Sequence, residues 1–264
     1  MALMLAAVLL PEAGSLELFR RGEDAFRAGL ARREKNDRND RGEADFRDAA
    51  RAWEAVRAHG VDTAPLYRNL GHAYFLAGEL PRAILCYRLG LRREPGDAEL
   101  RAGLHKARSQ VVFAEGTALG RPVEDHPARW LAGLSLGWLF ALGVVLHTAG
   151  WACLTRWYMV RGRKKLIAGI VLLVAGLTLG WGVFQRQDGG TEPPVVVIAR
   201  DGVLLRKGNG SAFPAWSEQP LNRGVEAEQI LMRDGWVQIR LAGGEVGWVG
   251  AAEVVVGDDP EASR

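Results

Sequence analysis

The chain has 264 residues, 48% of them apolar and 25% charged, with a formal net charge of +3. That mixture excludes a disordered chain and calls for both water-facing and strongly apolar parts. The small basic excess gathers in one short loop, so it gives no reason to expect a nucleic-acid partner. With only Cys86 and Cys153, no disulfide framework is expected.

Residues 1–14 open with M-A-L-M-L-A-A-V-L-L, followed by Pro11 and small residues. An apolar core ending in a breaker predicts a secretory signal-like segment, although it has no basic residues before it. The other reading is an N-terminal helix that packs on the next domain.

Residues 16–108 read as helical. Tyr67-x2-Leu70-Gly71-x2-Tyr74, then Ala83-x3-Tyr87, then Pro95 follow the spacing of a tetratricopeptide repeat over 64–97. Gly71 and Ala83 would let two antiparallel helices approach, Leu70, Tyr74 and Tyr87 would fill the gap, and Pro95 would end the second helix. One repeat period earlier, Ala49 and Trp53 fall on the matching second-helix positions. The first helix of that repeat is expected over 16–31, before a charged insertion at 32–45. A capping helix with Leu100, Leu104 and Ala107 on one face completes the smallest array that buries its own surface. Residues 109–128, with Gly116, Gly120, Pro122 and Pro127, read as an extended linker.

Two apolar runs follow, 130–154 and 166–184, without Asp, Glu, Lys or Arg. Each matches the roughly 20 residues that span a bilayer core, which predicts a transmembrane hairpin. Arg156, Arg161, Arg163, Lys164 and Lys165 in the 155–165 loop would hold that loop in the cytoplasm and place both flanking segments outside. The pairs Gly133/Gly137 and Gly176/Gly180 are candidate helix-packing strips. His147, ionisable and inside the first run, is expected to bond to the second helix as neutral imidazole.

A linker at 185–192 leads to residues 193–256, where the pattern becomes β-branched and alternating, with Asp201-Gly202 and Asp234-Gly235 as turns. Five or six short strands predict a small barrel. Val203-Leu-Leu-Arg206-Lys-Gly-Asn-Gly, Gly235-Trp236-Val-Gln-Ile-Arg and Gly244-x2-Gly247-Trp248-Val resemble a bacterial SH3 domain, with Asn209-Gly210 in place of the usual proline turn and Ile239 for valine. Residues 257–264 form an acidic tail.

No motif supplies chemistry. The five histidines have no partner at metal-ligand spacing, and neither a phosphate-binding loop nor a nucleophile elbow occurs. No enzyme activity, metal or cofactor is expected. Candidate contacts are Arg68, Asn69, His72 and Phe75 on the concave face of the repeats, and Trp216, Trp236 and Trp248 in the SH3-like segment, where the last two are equally readable as core.

The order of signal, tetratricopeptide array, membrane hairpin and SH3-like domain resembles the BatE proteins of the bacterial aerotolerance (Bat) operon. The resemblance implies a multi-pass protein of the bacterial inner membrane. It would work with von Willebrand factor A-type Bat proteins and a MoxR-type ATPase in envelope stress resistance. The expected fold class is therefore a multidomain membrane protein: an all-α repeat array, a transmembrane helical hairpin and an all-β SH3-like barrel. The expected function is a non-enzymatic scaffold that presents both end domains outside the membrane, in contact with lipid and with protein partners. The alternative is a peptidoglycan-binding anchor that recruits an envelope enzyme. A proton-conducting role for His147 is the third reading.

Overall fold

A computed structural model describes residues 2–35, 41–113, 119–121, 136–160, 163–187 and 193–257; for 2–13, 136, 139, 160, 163–165 and 182–187 it describes the backbone alone. The chain divides into two units, residues 1–123 with 193–264, and residues 124–192.

The first unit begins with α1 (Ala2–Glu34), α2 (Glu43–Ala58), α3 (Ala64–Leu76), α4 (Leu80–Arg93) and α5 (Ala98–Arg108). Helix α1 runs on through Pro11, where the sequence suggested a break before a separate domain. Pro65 and Pro81 stand in the first turns of α3 and α4, where a missing N–H costs nothing. Gly78, at φ 78°, ends α3, and Glu79 N–H bonds back to the Tyr74 carbonyl (2.9 Å), turning the chain into α4. Asp97 caps α5 by accepting from the N–H groups of Glu99 (2.7 Å) and Leu100 (3.0 Å).

Rings lying on glycines hold the helices together. A Cβ on Gly71 would stand 2.5 Å from the Tyr87 ring, and one on Gly103 2.6 Å from the same ring. Trp53 lies on Gly22 and Phe46 on Gly29, so α2 meets α1 in the same way that α4 meets α3. Trp53 Nε1 also donates to the Phe19 carbonyl (3.2 Å), and the expected insertion at 32–45 is tied at its ends by Arg32 and Asp45 (3.1 Å).

The remainder of this unit is one antiparallel sheet of β1 (Val195–Ile198), β2 (Glu226–Arg233), β3 (Trp236–Leu241), β4 (Val246–Gly250) and β5 (Val254–Val256), in the order β4-β3-β2-β1-β5. Asp234 (φ 51°) and Gly235 (φ 76°) make the left-handed turn that suits a two-residue hairpin between β2 and β3. The sheet is open, which corrects the expected barrel. Two observations account for it. The 203–206 run forms no strand, only isolated bridges of Val203 to Leu221 and of Arg206 to Ala215 and Trp248. And β5 pairs with β1 alone.

A barrel closes to bury its own interior; here helices bury part of it. One apolar cluster runs without interruption from α2–α5 through all four residues of β1 to β3 and β4. A Cβ on Gly224 would meet Val111 at 2.8 Å and Ile84 at 3.3 Å, and one on Gly257 would meet Leu85 and Leu89 at 3.2 Å. Val111 and Leu119, in the stretch expected as an extended linker, are buried in this cluster. Polar contacts frame the seam. Glu226 accepts from Arg108 Nη2 (2.8 Å) and Nε and lies 3.5 Å from Arg88, while Asn222 Nδ2 donates to the Val112 carbonyl (3.0 Å). The expected separate all-α and all-β domains are therefore replaced by one mixed α/β unit with a shared core. No polar or charged residue is buried among the described residues.

The second unit holds α6 (Leu136–Val160) and α7 (Arg163–Gln187). The expected membrane hairpin is overturned: among the described residues no helix is long and apolar enough to cross a membrane. In the first run, Leu136–Val160 is helix, and residues 130–135 lie outside the described residues. The helix continues past the apolar stretch to take in Arg156, and α7 begins on Arg163, Lys164 and Lys165. The expected basic loop is thus mostly helix. The multi-pass inner-membrane localisation, the contact with lipid and the placement of both end domains outside lose their basis with the spans.

The contact between α6 and α7 falls on four glycines. Gly143, Gly150, Gly169 and Gly176 are the buried positions among the described side chains of the two helices. A Cβ on Gly176 would stand 3.0 Å from the Gly143 carbonyl oxygen, and one on Gly150 3.1 Å from that of Gly169. Of the expected packing pairs, Gly176 takes part in this contact. Gly137 and Gly180 face open space, and Gly133 lies outside the described residues. His147 bonds within its own helix, accepting at Nε2 from Trp151 Nε1 (3.1 Å), rather than to α7.

Candidate functional site

In the first unit a cavity of about 150 Å³ is lined by residues of α1, α2 and α3. Asn69 and His72 line it, with Glu23, Phe26 and Arg27 of α1 and Trp53 of α2. The positions follow from helix periodicity: Asn69 and His72 are three apart and share a face, as do Glu23, Phe26 and Arg27 at spacings of three and four. Phe26 packs on Trp53 (5.7 Å between centroids) and on Phe46 (5.3 Å), so the floor is a rigid aromatic stack. His72 meets the Tyr87 ring edge-on at 5.7 Å. Burial, and then the nearby Arg68 guanidinium, hold the imidazole below its ordinary pKa, with Glu99 opposing. The groove therefore offers a neutral imidazole, an amide, a carboxylate and a guanidinium above an aromatic floor. That set suits hydrogen bonding to a peptide rather than proton transfer.

The other two residues expected on this face are engaged elsewhere. Arg68 pairs with Glu99 (2.9 Å) and Asp97 (3.6 Å), which ties α3 to the capped end of α5. Phe75 packs against the core with Lys106 Nζ 5.4 Å over its ring. The α1 residues Glu23, Phe26 and Arg27 carried no motif. They fall in the first helix expected over 16–31, but nothing in their spacing marked that helix as one wall of a groove.

In the sheet, Trp236 faces Gly250 and Gln238 faces Trp248 across β3 and β4, so the two tryptophans are diagonal neighbours on one face. Val237, Ile239, Leu241 and Val249 take the opposite, buried face. Trp236 and Trp248 are half-buried on the outer side, which removes them from the core. Trp216 is 44% exposed, and its N–H bonds to the Leu205 carbonyl (2.6 Å). Arg206 braces the segment carrying it, donating to the carbonyls of Ser211 (3.0 Å) and Phe213 (2.8 Å). Among the described residues no ring contact joins Trp216 to the other two tryptophans.

Among the described residues no group of three or more His, Cys, Asp or Glu is placed to hold a metal ion. Tyr67 is pushed up to about 12 by burial and by Asp62, and burial raises the Cys86 thiol still further, so both stay protonated and inert as nucleophiles. No family model and no curated protein matches the chain.

Proposed function

We propose that the chain is a non-enzymatic interaction scaffold, whose helical groove takes a partner peptide and whose outer tryptophan face gives a second contact. The observation that carries this reading is the cleft between α1 and α3, where Asn69 and His72 stand over the Phe26–Trp53 stack. Side-chain donors and acceptors over a fixed aromatic floor recognise a peptide at small entropic cost. The sheet shares a core with the helices, so the two surfaces keep a fixed relation and suit one assembly rather than two independent partners. The von Willebrand factor A-type protein implied by the resemblance is the first partner to test.

The test is a photo-crosslinking residue placed at Asn69 and, separately, at Trp216 in the full chain in cells. The expected result is a discrete protein adduct from position 69 that disappears when Arg27→Glu is added. No adduct at either position overturns the scaffold reading. Retention of the purified chain on cell-wall sacculi, lost on Trp248→Ala, would favour the anchor reading instead.

A further inference from the structure

On the side of the helices away from that groove, a second cavity of about 430 Å³ lies between α2, α4 and β5. Its apolar wall is Leu85 and Leu89 of α4 with Val255 and Val256 of β5. Its rim is cationic: Arg51, Arg57 and Arg82 against the single carboxylate of Glu54. Glu54 is already satisfied, accepting from Arg57 Nε (2.8 Å) and from the Tyr74 hydroxyl (3.1 Å). Arg82 lies 5.5 Å over the Tyr74 ring, which orients its guanidinium at the mouth. Arg51 and Arg82 have outside partners three residues away, Asp48 on α2 and Glu79 just before α4. Exposed pairs of that kind are weak and readily exchanged for a better-placed carboxylate.

The strand on the other wall is the edge of the open sheet. Val254–Val256 pair with β1 on one side, and among the described residues no strand pairs with the other. Edge strands left bare are usually blunted by an inward charge, a proline or a bulge. β5 has none of these; its three residues are all valine, the residue type best suited to pairing with another strand. An unpaired edge and a cationic, apolar-walled cavity thus occupy the same place.

We propose that this seam binds an extended acidic peptide of a partner protein, which adds to β5 as a further strand and places carboxylates on Arg51 and Arg82. Main-chain pairing supplies the affinity and the arginines select for acid. The site is distinct from the α1–α3 groove but rests on the same reading of the chain as a peptide-binding scaffold.

The test uses the full chain and a fluorescein-labelled Glu-Val-Glu-Val-Glu-Val peptide. Binding is expected to weaken about tenfold with the Gln-for-Glu peptide, and about tenfold in the R51E/R82E double variant, whose side chains are exposed and leave the fold intact. A peptide N-methylated at alternate residues is expected not to bind, and bound peptide is expected to slow amide exchange at 254–256. Equal binding of the Glu and Gln peptides, or unchanged exchange at 254–256, overturns the proposal. Binding seen only in a D258N/D259N/E261Q chain also overturns it, by making the chain's own acidic segment the occupant. Groove variants such as Asn69→Ala leave this binding unchanged, so failure here and failure of the groove reading are separable.

Discussion

The two units use glycine in opposite ways. In the first, each glycine at a helix contact receives a large side chain: Tyr87 on Gly71, Trp53 on Gly22, Phe46 on Gly29, Leu100 on Gly90. The rings go inside, Tyr67, Tyr74 and Tyr87 among them, and no charged residue is buried with them among the described residues. In the second, Gly143 and Gly176 meet each other's backbone, Gly150 and Gly169 meet a leucine side chain as well as each other's carbonyl, and the large residues point outward: Trp138, Phe140, Val145, Trp151, Ile167, Val171, Leu177 and Trp181 are all exposed. Burying the small and exposing the large is the reverse of what water selects. The first unit is held by apolar burial of rings, the second by close approach of two helices at glycines, with leucine filling part of the contact.

The contrast can be broken most sharply at Tyr87, which is 1% exposed and touches both Gly71 and Gly103. Tyr87→Ala is expected to cost about 3–5 kcal/mol through the cavity it leaves. Because the core is shared, far-ultraviolet circular dichroism of the helices and tryptophan fluorescence of the sheet should move together to lower denaturant; two separate transitions would show that the core is not continuous.

Overpacking sharpens the comparison. Gly71→Leu forces a side chain against a ring and should destabilise the first unit by about 1–3 kcal/mol. Gly176→Leu meets the backbone of α6, which cannot give way, so α6 and α7 should separate. Amide exchange in α6 and α7 should then speed up, while the unfolding midpoint of the first unit stays where it was.

A smaller effect is expected at the seam. Glu226→Ala removes the acceptor shared by Arg88 and Arg108, and because both arginines are partly exposed the loss should be about 1 kcal/mol. Denaturation followed in high salt should shrink the difference; no salt dependence would mean that the ion pairs contribute nothing.

The smallest effect concerns pH. Burial lowers the His72 pKa in the folded chain, so near the ordinary histidine pKa the unfolded chain binds more protons and stability rises with pH. Acidifying from neutral through that range should destabilise the first unit, and His72→Gln should flatten the slope. An unchanged slope would leave His72 without this role.

Local spacing was enough to read the Gly71–Tyr87 contact, the helices around it and most of the strands, because each depends on residues within a turn, a hairpin or one repeat. Other features were harder to read. The eye falls on glycines four apart, whereas α6 and α7 meet at 143 and 150 and at 169 and 176, seven apart, once every two turns of an antiparallel pair. The tryptophans of β3 and β4 were legible as strand residues, but their face was not, since alternation has two phases and only burial of Val237 and Ile239 on the helices chooses between them.

By itself, the sequence determined the repeat helices, most of the strands of the sheet and the place of Gly71 between two helices. Only the tertiary structure decided that the repeat helices and the sheet form one body, that the sheet stays open, and that the linker residue Val111 belongs to the core. The physical reason is distance along the chain: Gly224 meets Val111 and Ile84 from more than a hundred residues away, with the residues of the second unit intervening in the sequence. Apolar burial is non-directional, and no spacing rule records which two apolar faces will cover each other.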